Sequence, residues 1–334
     1  MMMKTLNEVR WGIIGCGNVT EVKSGPAFQK IDNSTLVAVM RRNGELAKDY
    51  ASRHQVPKWY DNADDLINDP EVNAVYVATP PSSHKENTLK AVAAGKPVYV
   101  EKPMALNYRE CKDMIESCEQ ADVPLYVAYY RRALPRFKKI KEIIESGVLG
   151  DIRFVASKYY SPNTIEKDQE NLPWRLQPKI AGGGLFYDLA SHALDIQDFL
   201  LGPISEVKGI ASNQLGLYEA EDIVTTAYRF KSGIHGMGTW CFSAFKHEDV
   251  TEIVGSKGKL EFSIFGSGDP ITLTTDTSTE TWSIENPIHV QQPLIQTIVD
   301  ELTGKNGACP SIGKTAARTS WVMDGACHHP NFVE

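Results

Sequence analysis

The stretch Trp11-Gly12-Ile13-Ile14-Gly15-Cys16-Gly17-Asn18-Val19-Thr20 decides how the first third of the chain is read. Residues 11–14 carry no charge, and a short continuous apolar run is what a strand covered on both faces looks like. The run passes without a linker into two glycines one residue apart. Gly15 permits a tight turn at positive φ, and Gly17 lets the backbone come close to whatever lies beyond it. A strand that turns through such a loop into a helix is the opening unit of a doubly wound parallel sheet.

The neighbouring sequence repeats that unit. Brief Val- and Ile-rich runs at 36–40, 74–77, 98–100 and 125–127 alternate with longer mixed segments at 45–54, 85–94 and 109–120. Parallel strands need a helical crossover, so the alternation predicts a parallel sheet flanked by helices. After Gly150 the texture changes. Runs at 152–160, 207–212, 223–230, 234–242, 250–254 and 259–264 follow one another through turn signals such as Lys231-Ser232-Gly233 and Gly255-Ser256-Lys257-Gly258. That predicts a mostly antiparallel, open sheet. Helical patterns interrupt or close it at 185–201, 293–303 and 315–324. The expected architecture is α/β: a Rossmann domain over 1–128 and an α+β domain over 129–334, with the C-terminal helices candidates to pack back on the first.

Composition narrows the function. The chain has 334 residues, 42% apolar and 23% charged, which suits two globular domains and excludes a disordered, collagenous or coiled-coil chain. No apolar run reaches the ~18 residues that span a bilayer, so no membrane partner is expected. Thirty-five basic against 42 acidic side chains give −7, the wrong sign for a nucleic-acid binder. Six cysteines are scattered without a C-x-x-C pair, which argues against a disulfide framework or a zinc site and for a reducing, cytoplasmic setting. His328-His329 has no further metal ligand near it in sequence, and no metal is expected.

The glycine loop sits at the first strand-to-helix turn, where a pyrophosphate rests on backbone amides in dinucleotide-binding folds. The third position of the fingerprint is Thr20 rather than Gly or Ala. The second run ends Val39-Met40-Arg41-Arg42-Asn43. A carboxylate there would hold a ribose 2′-hydroxyl. Arg41 and Arg42 stand in its place and can fork a 2′-phosphate or stack on adenine, so NADP(H) is expected over NAD(H). The bland alternative is two solvated arginines at a strand end. Two more segments follow predicted strands: Ala78-Thr79-Pro80-Pro81-Ser82-Ser83-His84 and Val100-Glu101-Lys102-Pro103. Strand C-termini are where open α/β sheets bind ligands.

These segments, with Gly182-Gly183-Gly184-Leu185-Phe186-Tyr187-Asp188-Leu189-Ala190-Ser191-His192 and Trp174-Arg175 before it, resemble the Gfo/Idh/MocA family of NAD(P)-dependent oxidoreductases. The resemblance covers nearly the whole chain. It implies a nicotinamide with Lys102, Asp188 and His192 around its reactive face. It implies cofactor contacts from Gly15, Gly17, Asn18, Val19, Thr79, Pro80, His84, Glu101, Lys102, Trp174 and Arg175. It also implies a sugar or polyol substrate, and a homodimer or homotetramer formed through the C-terminal sheet. A sheet face with too few helices to cover it points the same way.

Asp188, His192 and Asp195 recur at i, i+4 and i+7, which predicts one face of a helix. Moving a hydride from a secondary alcohol also releases a hydroxyl proton, and histidine titrates nearest neutrality. His192 is the expected general acid/base. Lys102 is expected to hydrogen-bond the same oxygen, and Asp188 to orient His192 or hold a neighbouring hydroxyl. Asp195 reads as a structural partner. The run Arg131, Arg132, Arg136, Lys138, Lys139, Lys141 reads as a solvated helix face, because Glu142 and Glu145 follow it. Cys16 reads as a small apolar filler. Two other functions fit the same residues less well. One is an enzyme that keeps its cofactor and oxidises its substrate transiently. The other is a cofactor-sensing regulator, which would have no need of Lys102, Asp188 and His192.

Overall fold

Burial on both faces explains the short apolar runs of the first unit. In the computed structural model, which describes residues 5–166, 171–305 and 307–328, they pair as β1 (Val9–Ile14), β2 (Ser34–Met40), β4 (Ala74–Val77), β5 (Val98–Val100) and β6 (Leu125–Val127). β3 (Lys58–Tyr60) adds an edge, and all six lie parallel in the order β3-β2-β1-β4-β5-β6. The order reverses between β1 and β4, and the carboxyl ends of both strands flank that switch point. β3 escapes a search for apolar runs because Trp59 is 41% exposed and Lys58 and Tyr60 are fixed instead by hydrogen bonds to Asp69.

The crossovers are α1 (Asn18–Val22), α2 (Gly25–Phe28), α3 (Gly44–His54), α4 (Ala63–Asn68), α5 (His84–Ala93) and α6 (Tyr108–Gln120). Asn43 caps α3 by accepting the Leu46 amide at 3.2 Å, so the residue after Arg41-Arg42 starts the helix. Farther along lie α7 (Pro135–Glu145), α8 (Pro178–Ala181), α9 (Ser191–Leu201), α10 (Gln292–Leu302) and α11 (Gly313–Ala326). The chain divides into two compact units. The first joins residues 1–105, 109–134 and 287–317; the second holds 106–108, 135–286 and 318–334. The boundary thus falls after Leu134 rather than after 128, and α10 belongs to the first unit.

The second unit is built on one eight-stranded sheet. Its strands are β7 (Ile152–Tyr160), β8 (Ile204–Ser212), β9 (Ile223–Phe230), β10 (His235–Cys241), β11 (Glu248–Gly255), β12 (Gly258–Phe262), β13 (Pro270–Thr275) and β14 (Thr279–Ser283). The order is β14-β13-β12-β11-β7-β10-β9-β8, antiparallel except where β10 meets β7. The sequence reading does not mark β13 and β14, because the buried Ile271 and Leu273 of β13 alternate with threonines and β14 is mostly exposed, so no apolar run stands out.

One face of this sheet is covered. Phe137 of α7 meets Phe262 edge-on at 6.3 Å. Gln197 of α9 donates to Ser157 of β7 at 2.8 Å and accepts from Tyr228 of β9 at 2.5 Å. The sequence reading left α7 out of the cover. It also mistook the arginines before and within α7 for a solvated face. Arg131, Arg132 and Arg136 are buried, and Arg136 donates to the carbonyls of Gly266 and Ser263. Only the lysines behave as expected, Lys139 pairing with Glu142 and Lys141 with Glu145. The opposite face shows Ile210 (77% exposed) and Met237 (50% exposed).

Candidate active site

In the first unit, the sequence-predicted residues gather at the carboxyl edge of the parallel sheet. Gly15 adopts φ +93°, and a Cβ there would stand 2.9 Å from Thr79 Cγ2 and 3.0 Å from the Ala78 carbonyl carbon. Only glycine lets the ends of β1 and β4 approach so closely. The Gly15 and Cys16 amides both donate to the Met40 carbonyl, at 2.8 and 3.1 Å, which ties the loop to the end of β2. Gly17 then enters α1 in extended conformation, with Asn18 exposed and Val19 half-buried.

Thr20 and Gly25 together do the work of the missing third glycine. The Thr20 hydroxyl donates to the Gly17 carbonyl at 2.8 Å, closing the first turn. The Thr20 carbonyl accepts from Tyr50 of α3 at 2.9 Å. A Cβ on Gly25 would meet both Thr20 O and Tyr50 Oη at 2.2 Å, so the close approach happens five residues later than the fingerprint places it. Cys16 is fully buried, and burial pushes its thiol up to about 11 against the opposing pull of the Arg41 charge. It is a packed filler that shares the field of Arg41. Arg41 and Arg42 themselves are exposed at the end of β2, with the Arg41 amide held by Tyr60 O at 3.2 Å.

At the end of β4, Thr79 and Pro80 are half-buried. The Thr79 hydroxyl oxygen is inaccessible to water and has no hydrogen-bond partner among the described residues. A buried hydroxyl in that condition calls for a ligand group. With the glycine cradle beside it, the residues present fit a dinucleotide. His84 is enclosed between two loops. Its ring is fully buried, with Nε2 2.7 Å from Thr79 O and Nδ1 3.1 Å from Pro103 O. Burial pulls its pKa down from the usual imidazole range, against the hydrogen bonds to these carbonyls. The imidazole lies between the Thr79 loop and the loop after β5, and when neutral it donates to one of these carbonyls.

That second loop contains a cis peptide between Lys102 and Pro103. Glu101 is 7% exposed and turns inward: Oε1 accepts from Tyr76 Oη at 2.5 Å and from Gln291 Nε2 at 2.6 Å. Its Oε2 accepts the Lys102 amide at 3.1 Å. The carboxylate thus holds the backbone of the lysine that follows. Lys102 itself is half-exposed.

In the second unit, the glycine run 182–184 delivers the chain into a helix. A Cβ on Gly182, at φ +88°, would strike the Leu106 carbonyl oxygen at 2.4 Å, and one on Gly183 would strike the Tyr187 ring at 2.1 Å. The Gly184 amide donates to Glu221 Oε1 at 2.9 Å. Residues Phe186–Ala190 form a single π-helical turn before α9 begins at Ser191. Asp188 and His192 therefore stand on either side of a change in helical pitch, not on one uniform α-helical face as their spacing suggests. Such turns concentrate at functional sites.

Two sets of contacts fix α9. Gln197 hangs it on β7 and β9, and leaving either of those buried partners unsatisfied would cost about 1–3 kcal/mol. Asp198 takes Arg318 of α11 in a fork at 2.7 and 2.6 Å, while Asp195 accepts from Thr319 at 3.4 Å. Asp195 is buried at 1% exposure. His192 is 4% exposed and meets the ring of Phe265 edge-on at 5.9 Å. Asp188 Oδ2 lies 3.2 Å from Arg175 Nε, and the Arg175 guanidinium lies 4.4 Å from the Trp174 ring centroid. The two residues taken together from the sequence thus reach Asp188 as a stacked pair.

Phe265 is one residue the sequence reading missed; its amide, like that of Ile264, is anchored on Asp249 at 2.7 and 3.1 Å respectively. No local pattern marks a loop phenylalanine as the neighbour of a histidine 73 residues earlier. Among the described residues, no helix is long and apolar enough to cross a membrane, and all six cysteines are free thiols.

Comparison with known proteins agrees with this geometry. Residues 9–129 match the model of the GFO/IDH/MocA oxidoreductase family with its NAD-binding Rossmann fold, and residues 137–261 match the family's C-terminal domain. Oxidoreductase P35 of Formosa agariphila is 41% identical over 96% of this chain and 99% of its own length. The 1,5-anhydro-D-fructose reductase of Ensifer adhaerens is 29% identical over 75% of this chain and 74% of its own. Among solved structures, a levoglucosan dehydrogenase in complex with NADH and levoglucosan superposes with TM-score 0.84 at 22% identity, covering 96% of each chain. A parallel sheet with a glycine cradle at its switch point, a second unit with a mixed open sheet, and family-model matches in both units place the chain in the GFO/IDH/MocA family of oxidoreductases.

Proposed function

We propose that the protein transfers a hydride between NADP(H) and a secondary alcohol or carbonyl of a sugar, polyol or related compound. The observation that carries the reading is the presence of Lys102 just after β5 and of Asp188 and His192 around the π-turn. A chain that only sensed cofactor would not need an acid/base group and an ammonium. The relatives named as an anhydrofructose reductase and a levoglucosan dehydrogenase support a carbohydrate substrate.

When bound, the nicotinamide supplies the hydride acceptor or donor. The glycine loop would hold the pyrophosphate end on its backbone amides, and Arg41 with Arg42 would grip the 2′-phosphate. His192 takes the proton from the substrate hydroxyl during oxidation and returns it during reduction. Lys102 donates a hydrogen bond to the same oxygen and offsets the charge that builds on it. Asp188, braced by Arg175, holds a neighbouring hydroxyl or the His192 ring.

The exposed face of the eight-stranded sheet, with Ile210 and Met237, joins copies of the chain into a dimer or tetramer. The working compartment is cytoplasmic, in keeping with six free thiols. The test is a panel of sugars, polyols and small carbonyls followed at 340 nm with both cofactors. Turnover with NADPH on at least one is expected. No turnover with either cofactor would overturn the reading, and exchange between two sugars without net NADPH consumption would replace it with the retained-cofactor alternative.

A further inference from the structure

Gln291 lies 190 residues from Glu101 in sequence, at the N-terminal cap of α10, and it is fully buried within the first unit. Its side chain makes two short contacts. Nε2 donates to Glu101 Oε1 at 2.6 Å, and Oε1 accepts from Tyr99 Oη at 2.7 Å. Its main-chain amide donates to the Lys23 carbonyl at 3.1 Å, immediately after α1, the helix that leaves the glycine loop. Tyr76 and Tyr99 stack at 4.7 Å beneath this network, and burial raises both phenols far above their usual range, so they remain hydrogen-bond donors.

A buried carboxylate must be matched donor for donor. Glu101 accepts from Tyr76, from Gln291 and from the Lys102 amide. Remove the Gln291 donor and the carboxylate is short by one. It then has reason to rotate about its terminal bond, and the amide of Lys102 is the contact that this rotation breaks. The amide belongs to the residue whose ammonium must meet the substrate oxygen at one place.

We propose that Gln291 is a positioning residue for the reaction: acting through Glu101, it fixes the main chain of Lys102 and with it the approach of the Lys102 ammonium to the substrate. This rests on the role given above to Lys102. It adds a residue from the far end of the chain that touches both the glycine-loop helix and the neighbour of the lysine.

The test uses the full-length protein with Gln291→Leu and Gln291→Glu. Exchange of the Lys102 amide, followed by NMR, needs no substrate. It is expected to quicken at least tenfold in Gln291→Leu, while the Val98 and Val100 amides of β5 change less than twofold. With substrate, Gln291→Leu should lose roughly 10- to 100-fold in kcat, with KM and the NADPH Kd within threefold of wild type. Gln291→Glu tells position from mere packing. A protonated carboxyl can donate to Glu101 as the amide does, and two carboxyls so close share one proton. Its kcat should approach wild type at low pH and fall as the shared proton leaves, a limb absent from the wild-type profile. It also covers the case in which Gln291→Leu does not fold. Unchanged Lys102 exchange, unchanged kcat, or a Gln291→Glu profile parallel to wild type would each overturn the proposal. A quickened Lys102 amide in a protein whose wild type turns over nothing would leave the link to Lys102 standing and overturn the proposed function instead.

Discussion

Arg175 stands between Trp174 and Asp188, with its Nε 3.2 Å from Asp188 Oδ2 and its guanidinium carbon 4.4 Å from the indole centroid. The arginine is 47% exposed at its side chain, so as a stability contact the pair is worth little, about 0.2–1 kcal/mol. Its value is directional: a planar guanidinium held flat on an indole presents Nε to one carboxylate oxygen. Arg175→Ala is therefore expected to leave the melting temperature within a few degrees while lowering kcat/KM severalfold, since Asp188 loses the group that aims it. Steady-state kinetics beside a thermal melt check this; an unchanged kcat/KM would make the pair ornamental.

His192→Ala should reduce kcat by about 10²–10⁴-fold, the usual range for loss of a general acid/base. NADPH affinity should stay within threefold, because His192 belongs to the second unit and the glycine cradle to the first. Lys102→Ala should show a similar fall in kcat with a somewhat larger loss of affinity. Fluorescence titration with NADPH separates the two effects. A kcat near wild type for His192→Ala would reduce the histidine to a packing partner of Phe265.

Arg41→Ala with Arg42→Ala should cut NADPH affinity by about tenfold or more and leave NADH affinity nearly unchanged, since charge-assisted phosphate contacts contribute on the order of 1.5–3 kcal/mol. The wild type should bind NADPH more tightly than NADH. Equal affinities in a fluorescence titration would show that the exposed arginines at the end of β2 are only solvated.

Glu221 predicts a pH effect on stability. Burial raises its carboxyl pKa, with the Gly184 amide pulling the other way. Its folded pKa therefore lies above the unfolded one. Between those two values the native state holds the proton more firmly, so stability falls as pH rises from the unfolded carboxylate pKa towards the folded one. Glu221→Gln keeps an oxygen for the Gly184 amide and removes the titration. The variant should gain on wild type as pH is raised above about 4, the unfolded carboxylate range, as seen in urea midpoints. A constant difference between the two proteins would locate the proton elsewhere.

How far the sequence reaches can be judged residue by residue. Gly15 was legible because only glycine tolerates φ +93° with Thr79 and Ala78 so near. The six-stranded unit was legible because strands buried on both faces have no choice but to be apolar. β13 and β14 were not, since strands in which threonines alternate with few apolar residues look like loop. Gly25 was missed because the fingerprint assigns close packing to position 20, whereas the contact with Tyr50 is made at 25. The interior arginines were misread because charge was counted by spacing, and only the fold shows that Arg136 faces carbonyls. Lys102, Asp188 and His192 are singled out by motif order, whereas no local pattern marks Gln291 or Phe265.

The first unit is assembled from three stretches of chain, the last of them residues 287–317, while the strands of the second unit's sheet run without interruption from 152 to 283. During synthesis this interleaves the two units. A ribosome extending the chain at ~5–20 residues per second releases every strand of the second sheet before Gln291 or α10 exists. Until then Glu101, Tyr76 and Tyr99 wait without the amide that joins them. The amino-terminal unit thus cannot close before residues 287–317 have emerged, and the second unit gains Arg318 for Asp198 only after that. Nascent chains stalled once residue 286 has emerged should be cut by protease within the first unit, and those stalled after 317 should resist there. A first unit already resistant at 286 would show that α10 is dispensable to it.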